Sequence, residues 1–150
     1  MANRRFWIGT FAALLAMATP VAAQEQGAAG RVKIASGSAF IVRAGAEIPA
    51  VAGAVVYEAD GLKTGADGRI GVTLKDNTRV SIGPTSEVSL DRYAYAPGEG
   101  QFAFAMKVVR GVAAYVSGQI AKLSPDAVRL ETPTAIVGVR GTSLAMRVEP

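Results

Sequence analysis

The sequence predicts a single all-β domain of about ten short strands, arranged as a β-sandwich or as a solenoid-like stack. Apolar residues alternate with a period of two along almost the whole chain after residue 30. No stretch there carries an apolar stripe of helical period over three turns. Glycine, proline, asparagine and aspartate separate the alternating segments, and the 17 glycines fit a chain with many turns.

A signal peptide is predicted to precede this domain. Arg4 and Arg5 form a positive start, residues 6–18 are uncharged and largely apolar, and residues 21–23 are Val-Ala-Ala. Small residues at these positions are typical of a cleavage site before Gln24. A helix of thirteen residues rises only about 20 Å, which is less than the hydrocarbon core of a bilayer. We therefore expect a cleaved, helical signal peptide at residues 1–23 rather than a retained anchor.

The sequence is compatible with two export routes. The Arg4-Arg5 pair followed by apolar residues resembles a twin-arginine signal, but an ordinary positive region of a general secretory signal also explains it. Either route predicts a protein that is periplasmic or secreted.

The remaining chain divides into a lead-in and one domain. Residues 24–30 are small, polar and without period, which predicts a disordered lead-in. Residues 31–148 form the predicted β domain, with turns at residues 45–49 and at Gly111 and an aromatic loop at residues 91–101. The predicted strands cover residues 31–34, 39–43, 54–57, 69–74, 78–82, 87–90, 101–110, 112–116, 128–131, 135–139 and 144–148.

Composition excludes several classes of function. The chain has no cysteine and no histidine, so disulfides, thiolate nucleophiles, Cys/His zinc sites and imidazole chemistry are absent. Of the 16 Lys and Arg, two lie in the leader, which leaves 14 against 12 Asp and Glu, a net charge of +2. No run of Lys or Arg follows the leader, so nucleic acid is not an expected partner.

The spacing of the carboxylates and serines gives little indication of a catalytic site. Asp60, Asp67 and Asp76 lie in turns, where bonding to the local backbone is favoured over a paired glycosidase arrangement. Lys122 with Ser124, and Lys107 with Ser117, are favoured as solvated side chains over Ser–Lys catalytic pairs. The loops lack the spaced carboxylates of a calcium site. We expect no enzyme, no metal site and no cofactor.

Three residues are the candidates for binding. Tyr93 and Tyr95 stand at i and i+2, so on an extended chain they project to one side, either as an exposed platform or packed on the core. Packing on the core is the favoured interpretation. Arg140 interrupts an apolar, glycine-rich run and is interpreted either as a residue that fixes a turn or as an anion or partner contact, with the turn favoured.

The order of several motifs resembles the FecR domain of bacterial periplasmic sensor proteins. Residues 37–45 are similar to the opening strand of that family, which ends in Arg-x-Gly, and residues 60–65 are similar to its Gly-Asp-x-x-Thr-Gly motif, with Ala59 in place of the glycine. Residues 132–142 resemble its closing signature. The positions that match the family motifs are Arg43, Gly45, Asp60, Thr64, Gly65, Gly138, Arg140, Gly141 and Thr142.

The resemblance implies a non-catalytic, exported β module that takes part in binding or interaction. Full-length members carry a cytoplasmic anti-sigma segment and a membrane helix before this domain, whereas this chain begins with a predicted signal peptide. We therefore expect that it does not itself regulate a sigma factor, and that no membrane span is left after signal cleavage. The expected partner is an envelope protein or polymer, bound through open strand edges in a sensing or signalling system. The alternative is a structural or assembly protein of the cell envelope.

Overall fold

A computed structural model describes residues 27–139 and 143–149, and the predicted signal peptide lies outside them. The described chain is a single all-β domain in which one largely antiparallel sheet curls into a half-barrel, which confirms the predicted fold class. Its strands are β1 (Ala28–Ser36), β2 (Ala39–Arg43), β3 (Ala46–Pro49), β4 (Val55–Tyr57), β5 (Gly61–Thr64), β6 (Arg69–Leu74), β7 (Arg79–Ile82), β8 (Glu87–Ala96), β9 (Gln101–Val116), β10 (Val128–Glu131), β11 (Ile136–Gly138) and β12 (Ser143–Val148), with one short helix, α1 (Gln119–Leu123).

A long hairpin organises the sheet. β7 and then β8 run antiparallel to β9, from the pair Arg79 and Val116 at one end to the pair Ala96 and Gln101 at the other. Beyond β7 the sheet continues through β6, β1 and β4, and beyond β8 it continues through β5, β2 and β3. β12 pairs antiparallel with residues 111–116 of β9, and β10 pairs in parallel with residues 104–107 of β9. We call β7, β6, β1, β4 and β12 the β7 half of the sheet, and β8, β5, β2 and β3 the β8 half. β9 belongs to both halves.

The two halves share one core. The alternating apolar residues of β6, β7 and β8 are buried, as are Phe104, Met106 and Val108 of β9. Burying one such side chain contributes about 1.5–3 kcal/mol. Side chains from both halves surround a residual apolar cavity of about 20 Å³, which has room for one water at most. Its lining residues are Val56, Leu62, Val72, Leu74, Val80, Val88, Leu90 and Met106.

Three segments predicted as irregular are extended instead. β1 begins at Ala28, inside the predicted lead-in, because it pairs with β4 and buries Ala29. The reversal predicted at residues 45–49 takes only Ala44 and Gly45, both at positive φ as in a two-residue hairpin, and β3 follows. The aromatic loop predicted at residues 91–101 is largely strand, because β8 pairs with β9 up to Ala96.

Gly111 does not reverse the chain as predicted. β9 runs through it without a break, with Gly111 at φ +83°, where the strand passes from the β8 half to the β7 half. β5 and α1 were not predicted, because β5 carries only one buried apolar side chain, Leu62, and α1 has only five residues. β6, β7 and β8 are not stacked as successive rungs of a solenoid, since β8 pairs with β5 and β9 but not with β7.

Candidate functional site

Arg43 and Asp60, two of the family-motif positions, form an ion pair whose carboxylate is buried. Arg43 Nε lies 3.0 Å from Asp60 Oδ1 and Arg43 Nη2 lies 2.7 Å from Asp60 Oδ2, so the guanidinium binds both carboxylate oxygens. The Asp60 side chain is 2% exposed, whereas that of Arg43 is 39% exposed. The hydrogen bonds to Asp60 raise the pKa of Arg43. The pair therefore joins the end of β2 to the turn between β4 and β5.

The surrounding backbone holds this pair in place. The Tyr57 N–H donates to Asp60 Oδ2 at 2.8 Å, and Arg43 Nη2 donates to the Val55 carbonyl at 3.1 Å. The Arg43 guanidinium also lies 4.7 Å from the centre of the Tyr57 ring. β8 fixes the turn from the other side, because the Leu90 N–H donates to the Asp60 carbonyl. The ion pair therefore connects β2, β4, β5 and β8.

Ala59 occupies a strained position in this turn. Its φ is +70°, which is the left-handed region, and Ala59 stands where the motif that residues 60–65 resemble has glycine. We expect Ala59→Gly to raise the free energy of unfolding by up to about 1 kcal/mol, because the left-handed conformation costs an L-residue about 1–2 kcal/mol and glycine gives back part of that through its looser unfolded state. Urea unfolding followed by circular dichroism measures the change. A destabilised variant would contradict this account of the turn.

Thr64 and Gly65 close the corner where the sheet changes direction. The Thr64 hydroxyl donates to the Gly83 carbonyl at 2.6 Å and accepts from the Ser86 N–H at 2.9 Å. These backbone groups belong to residues 83–86, the break between β7 and β8. The Ser86 hydroxyl in turn accepts from the Val112 N–H of β9 at 2.9 Å. Two buried hydroxyls thus replace the ladder hydrogen bonds that the break removes.

Thr64→Val tests this corner. The substitution keeps the shape of the side chain but leaves the Gly83 carbonyl and the Ser86 N–H without their buried partner. We expect a loss of about 2–4 kcal/mol in the free energy of unfolding, since each unsatisfied buried group costs about 1–3 kcal/mol. Thr64→Ser, which retains the hydroxyl, serves as the control and is expected to lose less than half as much in the same urea unfolding experiment.

Gly65 is held by close packing at the same corner. Its N–H donates to the Ser38 carbonyl at 2.8 Å, and its carbonyl accepts from the Thr85 N–H at 2.9 Å. A Cβ at this position would lie 2.8 Å from the Ser38 Cβ. The nearby Asp67 accepts the Ser38 N–H, and the hydrogen bonds with Ser38 lower the pKa of Asp67. Asp67 is therefore a turn-fixing carboxylate, as the sequence favoured.

Asp76 is fully buried at the hairpin between β6 and β7. Its Oδ1 accepts from the Tyr93 hydroxyl at 2.8 Å and from the Thr78 N–H at 3.3 Å. Its Oδ2 accepts from the Thr78 hydroxyl at 2.6 Å and from the Ile120 N–H, at the start of α1, at 3.1 Å. The bond to the Thr78 N–H is the local turn bond that the sequence favoured. The bonds from the Tyr93 hydroxyl and the Ile120 N–H tie the hairpin to β8 and α1.

The predicted tyrosine pair packs on the protein. The Tyr93 ring meets Phe104 edge-on with 6.5 Å between centroids, and the Tyr95 ring lies 6.3 Å from that of Phe102. Both tyrosines are partly buried against the core. Burial raises the pKa of Tyr93, whose hydroxyl also accepts from the Asp76 N–H at 3.0 Å. The structure thus places both rings in packing positions, which was the favoured interpretation.

The closing signature is described in part. Gly138 ends β11, opposite Arg129 of β10, and an added Cβ there would meet no atom within 4 Å. Arg140, Gly141 and Thr142 lie outside the described residues. β11 pairs with β10, and β12 pairs with β9, so the signature links the β8 half to the β7 half.

Tyr57 and Ser86 belong to these networks although the sequence did not single them out. Both act through contacts with motif residues, Tyr57 on Arg43 and Ser86 on Thr64. Ser86 has one signal in the sequence, since it follows the Gly83-Pro84 break at which strand hydrogen bonds must be replaced. Within residues 27–139 and 143–149, no three His, Cys, Asp or Glu side chains group as metal ligands do.

These contacts define a class of protein: an all-β domain whose buried polar side chains fix corners and turns. The family model described as FecR protein matches residues 60–150, which is more than half of the chain. The chain belongs to the FecR family. The match begins at Asp60, so Arg43 and Gly45 precede it, although Arg43 pairs with its first residue.

Family membership associates the chain with sensing and signalling. No curated protein and no solved structure matches it. In the part of the chain that the structure describes, no helix has both the length and the apolar character needed to span a bilayer.

Proposed function

We propose that this protein is an exported, non-catalytic FecR-type module that binds a partner in the bacterial envelope as part of a sensing or signalling system. The proposal rests on membership of the FecR family. The predicted signal peptide supports export, and the family is generally periplasmic-facing. Open strand edges and the state of the buried carboxylates support the binding and the non-catalytic parts of the proposal.

The state of the buried carboxylates supports a non-catalytic role. Asp60 is saturated by Arg43 and the Tyr57 N–H, and Asp76 accepts four hydrogen bonds from its surroundings. General acid–base catalysis needs a group that can reach the proton of a substrate. Both carboxylates are at most 2% exposed and are committed to holding strands together.

Open strand edges support a binding role. Among the described strands, β3, β4, β11 and β12 each pair with only one neighbour. Unpaired backbone groups at such edges accept a strand from another chain. β3 has only four residues and ends in Pro49, whereas β12 offers six residues and carries no proline or bulge. β12 is therefore the edge best suited to strand addition.

A capture experiment tests the proposed function. The purified protein, immobilised and exposed to envelope extract, is expected to retain a specific partner that is identified by mass spectrometry. The same protein unfolded by heat is the control for exposed apolar chain. Recovery of the same material by the folded and the unfolded protein, or of nothing above background, would count against a binding module.

Export leads to a separate prediction. We expect the protein in the envelope or culture fluid to begin at Gln24, because small residues precede that position as a signal peptidase requires. N-terminal sequencing or intact mass measures this. The double substitution Arg4→Lys, Arg5→Lys distinguishes the routes, since a twin-arginine signal depends on both arginines. A product that retains residues 1–23 would contradict signal cleavage.

Assembly of the chain with itself is the second candidate function, because the same four edges could pair between copies. The mass of the protein in solution separates the two functions. A concentration-dependent series of oligomers favours an envelope assembly protein, and a monomer up to millimolar concentration favours a binding module.

A further inference from the structure

The outer surface of the β7 half carries a segregated array of positive charge. Arg31 on β1, Arg69 on β6, Arg79 on β7 and Arg147 on β12 are all exposed. We call these four residues and the surface between them the arginine face. The strands β1, β4, β6, β7 and β12, with residues 111–116 of β9, contain these arginines and Lys33 but no Asp or Glu.

This segregation is not expected from composition. After the leader, the chain has 14 Lys and Arg against 12 Asp and Glu, which is close to balance. The acidic side chains within strands all lie in the β8 half and β10: Glu47, Glu87, Asp91 and Glu131. The β7 half therefore carries only positive charge within its strands, whereas the β8 half carries both signs.

The strand register arranges the arginine face in three rows across the strands. The first row runs through Ser143, Val116, Arg79, Thr73 and Arg31. The middle row runs through Ala145, Ala114, Ser81, Gly71 and Ile34. The third row contains Arg147 and Val112, and the Gly83 N–H donates to the Val112 carbonyl. Arg69, one residue before the pair of Ile70 and Ile82, continues that row.

These rows set the spacing of the charges. Neighbouring strands lie about 4.8 Å apart and residues rise about 3.3 Å along a strand. Arg79 and Arg31 are therefore roughly 10 Å apart, Arg147 and Arg69 roughly 14 Å, and the two charged rows about 13 Å. Small side chains fill the middle row up to β1, so the arginines border a shallow strip on both sides.

Three of the four arginines on this strip are available to a partner. Among the described residues, Arg69, Arg79 and Arg147 have no hydrogen-bond or ion-pair partner. Arg31 donates to the Gly53 carbonyl at 3.2 Å, which orients its side chain at the edge of the strip. Guanidinium groups bind carboxylates through two parallel hydrogen bonds, which gives direction as well as charge.

We propose that the arginine face binds an extended acidic segment of a protein partner, lying along the middle row with carboxylates directed to the arginines on both sides. The strip spans about four strand spacings, roughly 19 Å, which is the length of about six extended residues. This inference rests on the proposed binding function and names the chemistry of the partner. It uses a sheet face, so it is separate from strand addition at β12.

Features of the same face favour protein over the other anionic polymers. Sugar-binding sites typically present an aromatic ring for stacking, and the three rows contain none. Membrane surfaces are held by several apolar side chains beside basic ones, whereas Ile34 is the one large and strongly exposed apolar side chain in the rows.

Binding of poly-L-glutamate to the purified protein tests the proposal, with titration calorimetry at low and at physiological salt. We expect saturable binding that weakens with salt, because exposed charge pairs are screened. The triple variant Arg69→Gln, Arg79→Gln, Arg147→Gln is expected to bind at least tenfold more weakly, since each exposed pair contributes up to about fivefold. The control triple variant removes equal charge elsewhere, at Arg92, Lys107 and Lys122, and is expected to change affinity less than threefold.

Each outcome decides the question. Equal weakening by the two triple variants would show an effect of net charge and overturn the proposal. Binding of polygalacturonate or of anionic phospholipid vesicles, with no binding of poly-L-glutamate, would replace the acidic protein segment with another class of ligand. If the arginine-face variant still captures the envelope partner, the binding function stands and this face is not its site. If the protein binds poly-L-glutamate through the arginine face but captures no envelope partner, the acidic-ligand site stands and the proposed binding function is contradicted.

Discussion

Replacing Arg43 by methionine is expected to lower the free energy of unfolding by about 3–5 kcal/mol, because it leaves the Asp60 carboxylate buried without its cation. Asp60 is 2% exposed and accepts from the Nε and Nη2 of Arg43. Typical domains are stable by only about 5–15 kcal/mol, so this variant retains little of its stability. Urea unfolding monitored by circular dichroism measures the loss.

The pair of Lys63 and Glu47 provides a matched control. Its N–O distance is 2.7 Å, the same as that of Arg43 and Asp60, and the two cations are similarly exposed, but Glu47 is 46% exposed whereas Asp60 is 2% exposed. We expect Lys63→Met to cost less than about 1 kcal/mol. Adding Asp60→Leu to Arg43→Met is expected to restore part of the stability, since the uncompensated charge is then removed. Equal costs at the two pairs would refute the importance of burial here.

Gly111→Ala is expected to destabilise the protein by about 2–5 kcal/mol, because two costs add. Gly111 is at φ +83°, and an added Cβ would overlap the Ser86 Oγ and lie 2.6 Å from the Ser86 Cα. Ser86 has no room to retreat, since its side chain is fully buried and bonded to the Val112 N–H. The midpoint of thermal or urea unfolding measures the effect.

Gly45→Ala separates the two contributions. Gly45 is at φ +79°, but a Cβ there would meet no atom within 4 Å. Its loss is therefore limited to the backbone cost of about 1–2 kcal/mol. The excess loss of Gly111→Ala over Gly45→Ala then reports the overlap with Ser86. A Gly111→Ala variant that is no less stable than Gly45→Ala would show that β9 bends in another way.

Period-two alternation predicted the class of fold and the inward faces of β6, β7 and β8, because a half-buried strand leaves that pattern in the sequence. β3 and β5 left no such pattern. Each residue of β3 is exposed, and β5 buries one apolar side chain, Leu62, beside Thr64. Their place in the sheet comes from pairing with β2, which no local signal records.

The polar networks show the same division between local and distant contacts. Asp76 was correctly interpreted as a turn residue, since its bond to the Thr78 N–H spans two positions. Its bonds to Tyr93 and to Ile120 span 17 and 44 positions, beyond what spacing predicts. Arg43 and Asp60 were both identified by resemblance, but only the structure shows that they bind each other. The arginine face likewise emerges only when β12 is placed beside β9.

The shared strand β9 also bears on how the chain reaches its native state. Its hairpin partners β7 and β8 precede it directly, and only the short turn at Pro97–Glu99 separates β8 from β9. Contacts so near in sequence form early, because closing a short loop loses little chain entropy. The hairpin therefore provides a nucleus from which β6, β1 and β4 are added on one side of Gly111 and β5, β2 and β3 on the other. Because both groups are attached to this hairpin and their side chains share one core, we expect the domain to unfold as one cooperative unit.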